Sequence, residues 1–280
     1  MPKILAVHGI GQQFKGDAVI HDEWWPYLLS GVHKAGGELN PLDLVCPFYG
    51  DLFRRGDHLG PDPIYRPEDL NEEEIHLLEN LWEEAAKIEP GKVPSKSDFE
   101  GEYLSSTPQW IQRALNSLSK SKFFVRLSQN MMMGDLKQVI SYMNNKDIHD
   151  AIINRVLEKL TADVKIVIGH SLGSVVAYES LFRNDHNVVC FITMGSPLGI
   201  RNLIFDKLNP RPTKGQGLVP PVDSWLNVAD KGDVVALDKT LSGLFGNRVR
   251  DLIVNNGSDA HSGQHYLSTS QIGKIITKNL

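Results

Sequence analysis

The chain has 280 residues, 41% of them hydrophobic and 22% charged, with a formal net charge of −5. That length suits one large α/β domain, and the composition is that of an ordinary globular protein. The acidic balance argues against nucleic-acid binding, which calls for a basic surface, and no apolar run is long enough to span a bilayer.

The opening "MPKILAVHGIG" enters a strand at once, without the apolar region and small-residue cleavage site of a signal peptide, so a cytoplasmic location is expected. Lys3–Val7 reads as a buried strand ended by glycines, and "WWPYLLSGVHKAG" as a helix that stops near Gly36 and Gly37. "LDLVCPFYG" is the expected second strand, bounded by Pro41 and Gly50. Further strands are expected at Lys165–Ile168, in "VVCFITMG", in "SWLNVA" and in "VRDLIV". Between several of them lie amphipathic stretches: Asp147–Leu160, Leu172–Phe182, and a last one from Thr269 to the end. Strands alternating with helices predict an α/β fold, a mostly parallel central sheet with helices on both faces. Cys46 and Cys190 both fall in expected strands and read as small buried thiols.

Residues 51–145 break the alternation, with no strand signal, and read as a helical insertion or cap on a single domain spanning 1–280. "EDLNEEEIHLLENLWEEAAKIE" is an acidic helix whose charge suits a solvated face. "STPQWIQRALNSLSK" opens like a capped helix with Pro108 near its start, and "GDLKQVISYMNN" is a further helical piece. "FFVRL" and "MMMG" concentrate apolar side chains. They are expected to bury the insertion against the sheet, with an acyl pocket or lipid-touching lid as the alternative. "GDHLGPDP" holds potential ligands, but its spacing fits no zinc or calcium pattern, and no metal is expected. "LNPRPTKGQGLVPPVD" reads as a loop over the sheet edge near a substrate mouth.

Gly169-His170-Ser171-Leu172-Gly173 lies where a strand signal becomes a helix signal and matches the nucleophile elbow G-x-S-x-G. A nucleophile raised at the carboxyl end of a strand needs a sharp, strained turn, whose flanking positions admit only very small side chains. The following helix points its amides and positive dipole end at the same place. An oxyanion hole needs two converging backbone donors. Leu172 offers one, and the loop "HGIG" after the first strand offers the other, from Ile10 with Gly9 beside it. His8 suits a role in holding that loop, and His170 should point away from the serine.

A serine hydroxyl needs a base, and the base an orienting acid, here in the order Ser, acid, His. Asp230 and Asp233 both follow the expected strand "SWLNVA", and Asp233 is preferred because the valines after it can hold it. His261 and His265 are the histidines downstream of those acids, and His261 is preferred, since His265 beside Tyr266 suits helix entry.

With these motifs the chain resembles the α/β-hydrolase superfamily, in particular lipase-like intracellular hydrolases that open with "HGIG" and carry "GHSLGS". "ITMGSPLG", "WLNVADKGDVVAL" and "AHSGQHYL" are also similar to segments of that group, in which an aromatic residue follows the histidine more closely than Tyr266 follows His261. The resemblance covers the first fifty residues and everything from about Asp147 onward, but not the insertion. It implies a nucleophile at Ser171, an acid at Asp233, a base at His261, no cofactor, and a small-molecule or lipid ester as substrate. Peripheral contact with a membrane stays compatible with this reading. A catalytically silent binding or signalling module, or a hydrolase acting as a toxin or defence effector, would use the same fold.

Overall fold

Ile4–Val7 forms β1 with all four side chains buried, as suits a strand covered on both faces. The structure is a computed structural model that describes residues 1–54, 63–99, 107–257 and 259–280. After β1 come α1 (Asp17–Lys34), β2 (Leu44–Val45), α2 (Glu72–Ile88), α3 (Pro108–Leu118), α4 (Gln129–Asn144) and α5 (Lys146–Lys159). The second half holds β3 (Ile166–His170), α6 (Leu172–Ser180), β4 (Cys190–Met194), β5 (Ser224–Asp230) and α7 (Ser242–Phe245). The chain closes with β6 (Val249–Val254), α8 (Gly263–Leu267) and α9 (Ser270–Asn279).

Among the described residues the strands form one sheet in the order β2-β1-β3-β4-β5-β6, every pair parallel. The period-2 alternation of strand side chains divides the core in two. Leu5, Val7, Val167, Phe191 and Trp225 share one apolar cluster with α2 to α6. Ile4, Ala6, Ile166, Ile168, Ile192 and Val228 share the other with α1, α8 and α9. Helices therefore cover both faces, and with the serine at the β3–α6 junction this is an α/β-hydrolase fold. Among the described residues no helix is long and apolar enough to cross a membrane.

Three elements differ from their sequence expectations. The second strand shrinks to Leu44–Val45, because Pro47 has no N–H for a ladder and Gly50–Phe53 turns into a 3-10 helix. Cys46 is buried but lies just outside that strand, whereas Cys190 opens β4. The first helix begins seven residues early, at Asp17, and carries Pro26 in its interior. Ser128 caps α4 by accepting the Met131 N–H, so "MMMG" belongs to that helix. The predicted loop "GDHLGPDP" and the end of "PGKVPSKSDFEGEY" lie outside the described residues.

Candidate active site

Ser171 sits at φ 53 and ψ −131, a costly conformation for a residue with a side chain. Strand pairing holds it there, since its N–H donates to the Met194 carbonyl at 3.0 Å. The flanking glycines are steric requirements. A Cβ on Gly169 would fall 2.5 Å from Ser174 Cα, and one on Gly173 would fall 2.3 Å from the carbonyl oxygens of Val7 and His8. The Ser174 hydroxyl donates to the Ser171 carbonyl at 2.6 Å and lies 2.6 Å from the Ser196 hydroxyl, bracing the turn.

The loop after β1 lies against this turn. A Cβ on Gly9 would come within 2.7 Å of Ser171 Cβ and 3.3 Å of its Oγ. His8 Nδ1 donates to the Gly9 carbonyl at 2.7 Å, and its Nε2 accepts the Tyr49 N–H at 3.3 Å. The Tyr49 hydroxyl donates to the His8 carbonyl, and the two rings stack at 4.0 Å. Burial pushes the His8 pKa down to about 4, so the neutral tautomer these bonds require persists at neutral pH. Gly11 donates its N–H to Gln138 Oε1 of α4 at 3.2 Å. Gly9, Ile10, Ser171 and Leu172 all line one cavity.

Asp233 and His261 meet in that region, with His261 Nδ1 donating to Asp233 Oδ2 at 2.8 Å. Asp233 is fully buried and its oxygens are well supplied. Oδ1 accepts the N–H groups of Val235 at 2.9 Å and Ala236 at 3.3 Å, and Oδ2 also accepts the Tyr266 hydroxyl at 2.8 Å. Burial alone would raise its pKa. The His261 charge and the bonds from His261, Tyr266 and Val235 outweigh that and hold the carboxyl below its ordinary range. Asp230 is spent on its own turn, accepting the N–H groups of Gly232 and Asn256. His265 lies in α8 with its ring 6.5 Å from that of Tyr27 and does not line the cavity.

Several supporting residues escaped sequence reasoning. His170 does lie off the serine, but it is tied to the histidine loop, donating from Nε2 to the His261 carbonyl at 2.7 Å. Burial, reinforced by the His261 charge, depresses its pKa to about 3, so it stays neutral. Gly195 has φ +54, and a Cβ there would stand 2.6 Å from Asp233 Oδ2 and 2.8 Å from His261 Nδ1. Tyr266 accepts the Asp230 N–H at 2.7 Å while donating to Asp233, so one hydroxyl ties the two aspartates together. Lys239 Nζ donates to the carbonyls of Asp233 and Ala236 at 2.7 and 2.6 Å and pairs with Glu84 of α2 at 3.0 Å. The signals for Gly195 and Tyr266 lay in "ITMGSPLG" and in the aromatic after the histidine. Lys239 and His170 left none.

The cavity measures about 270 Å³ and is mostly apolar. Its walls include Leu77 and Leu81 of α2, Leu118 of α3, Phe123, Phe124, Leu136 of α4, and Ile200 and Ile204 after β4, around Ser171 and His261. The "FFVRL" patch thus splits its work: Phe124 is buried, Phe123 lies with its ring 5.6 Å from His261, and Val125 is exposed. The proline-rich loop Leu208–Asp223, expected near a substrate mouth, does not line the cavity. It packs elsewhere, through the Leu218 carbonyl on the Tyr178 hydroxyl and Gly217 on the Phe245 ring.

Neither a protein-family model nor a curated protein matches the chain. Two solved structures of an esterase from the archaeon Pyrobaculum calidifontis are distantly similar. The first, a monoclinic form, is 12% identical, with 99% of this chain and 77% of that one covered at a TM-score of 0.37. The second is likewise 12% identical with a TM-score of 0.37, covering 99% of this chain and 75% of that one.

Proposed function

We propose that this protein is a serine hydrolase that cleaves carboxylic esters through an acyl-enzyme. The observation that carries this reading is the 2.8 Å bond from His261 to the buried Asp233, with His261 lining the same mostly apolar cavity as the strained Ser171. Ser171 Oγ adds to the ester carbonyl as its proton passes to His261 Nε2, and Asp233 stabilises the imidazolium that forms. The amides of Leu172 and Ile10 hold the oxyanion. Collapse breaks the bond to the alcohol, which leaves with the proton from His261, and a water then repeats the sequence on the acyl-enzyme. The apolar walls supplied by α2, α3 and the Phe123–Phe124 segment favour an acyl chain, and α2, α3 and α4 serve as a cap that keeps water from it.

Labelling with a fluorophosphonate, followed by kcat/KM across p-nitrophenyl esters of increasing chain length, tests this. Wild type is expected to label at one site and to prefer a medium acyl chain over acetate. Ser171→Ala is expected to lose the label and at least about 10³-fold in kcat/KM. An unlabelled wild type would favour the silent binding module.

A further inference from the structure

Asp135 puts a carboxyl into the wall of the mostly apolar cavity that Ser171 also lines. It lies on α4 one turn before Gln138, whose Oε1 accepts the Gly11 N–H, so this helix face meets the loop that carries Ile10. A Cβ on Gly11 would stand 3.8 Å from Asp135 Oδ1. Asp135 lines the cavity together with Ser171, Leu172 and His261, and also the wider groove beside it.

The neighbouring charges are committed elsewhere. Lys15 pairs with Glu23 at 2.5 Å, Lys137 with Glu74 at 2.9 Å, and His261 Nδ1 with Asp233. His170, neutral, donates to the His261 carbonyl. Among the described residues no group hydrogen-bonds the Asp135 carboxyl. Asp135 is half-buried at the cavity surface, and a carboxyl with no protein donor there keeps its acceptor capacity for whatever enters the cavity. Burial pushes its pKa up to about 7, against the pull of the His261 charge. Asp233 already occupies His261 Nδ1, so orienting the histidine is not left for Asp135 to do.

We propose that Asp135 reads a hydrogen-bond donor on the substrate, so that the preferred esters carry a hydroxyl or ammonium group near the scissile bond rather than bare hydrocarbon. This rests on the proposed ester hydrolysis and narrows its substrate class. A donor bonded to Asp135 would anchor the polar end beside the oxyanion loop while the hydrocarbon fills the leucine- and phenylalanine-lined end.

The test measures kcat/KM on two matched trios. One varies the acyl side: p-nitrophenyl hexanoate and its terminal hydroxyl and amino forms. The other varies the alcohol side: hexanoyl esters of propanol, ethylene glycol and ethanolamine. In at least one trio, wild type is expected to favour a donor-bearing ester by about tenfold or more, the worth of a hydrogen bond to a charged group. Asp135→Leu should bring that ratio to about one. The isosteric Asp135→Asn, which stands in if the leucine variant does not fold, should keep a hydroxyl preference and lose an ammonium preference. Absence of any donor preference in wild type, or a preference that both variants retain, overturns the proposal. If wild type still labels with fluorophosphonate and turns over plain esters, only the Asp135 proposal falls. If it does neither, the ester-hydrolase reading falls with it.

Discussion

Gly9 has no side chain of its own, yet it controls the position of one. Its α-carbon packs so near Ser171 that a methyl group would stand 2.7 Å from Ser171 Cβ, whereas a methyl on Gly16, in the same loop, meets nothing within 4 Å. Gly9→Ala must therefore displace either the serine or the amide of Ile10. A misplacement of about 1 Å at a reacting centre costs on the order of 10²-fold, and Gly9→Ala is expected to lose that much in kcat/KM. Gly16→Ala should stay within about twofold, by the same argument read in reverse. Equal losses from both substitutions, measured on one ester, would remove the steric account. The surrounding polar residues follow the same economy. His8, His170, Tyr266 and Ser174 each satisfy a backbone or carboxylate group whose displacement would move a nucleophile, acid or base candidate.

At the scale of elements, the packing of α1 on α9 puts the candidate histidine loop in place. The two helices touch backbone to backbone: a Cβ on Gly273 would lie 1.9 Å from the Gly31 carbonyl oxygen. Helix propensity alone would make alanine better than glycine at position 273 by about 1 kcal/mol. The contact reverses that sign, since the neighbour is main chain and cannot rotate aside. Gly273→Ala is expected to destabilise by about 1–3 kcal/mol in urea unfolding, the range for an overpacked site. Gly243→Ala, where a Cβ meets nothing within 4 Å, should change stability by less than about 0.5 kcal/mol. A neutral or stabilising Gly273→Ala would mean that the helices separate more readily than this contact implies. The other face is tied by charge: Lys239 joins α2, through Glu84, to the turn that holds Asp233.

For the whole molecule, three strongly shifted groups contribute to how stability follows pH. His8 and His170 have pKa values near 4 and 3 in the fold against 6.5 in the unfolded chain. As pH falls below 6.5 the unfolded chain binds two protons that the fold refuses, so stability drops. Asp135 acts oppositely: at about 7 against 3.8, the fold holds a proton that the unfolded chain releases. Between pH 6 and 4.5 these groups leave a net excess of one proton on the unfolded chain. That is a loss on the order of 1 kcal/mol per pH unit as acidity rises. Urea midpoints at the two pH values should show it, and His170→Gln should reduce it. A wild-type protein more stable at pH 4.5 than at pH 6 would contradict the assignment of neutral buried histidines.

Local chemistry alone determined the parallel α/β plan, because apolar runs of strand length alternate with amphipathic stretches that fit only between parallel strands. It also determined that Ser171 stands at a strand-to-helix turn between two glycines, since that pattern is written in five consecutive residues. The length of the second strand was not legible, because Leu44–Gly50 is apolar throughout and only its packing over His8 shows where pairing stops. The meeting of Asp233 with His261 rather than His265 was decided in three dimensions, because both histidines follow the last strand and differ only in the direction that α8 gives them. The same holds for the bond from His170 to the His261 carbonyl, the bridge through Lys239, and the Asp135 carboxyl in the cavity wall. Each joins residues far apart in the chain, and nothing in local sequence encodes a distance between side chains that the packing of helices on a sheet alone creates.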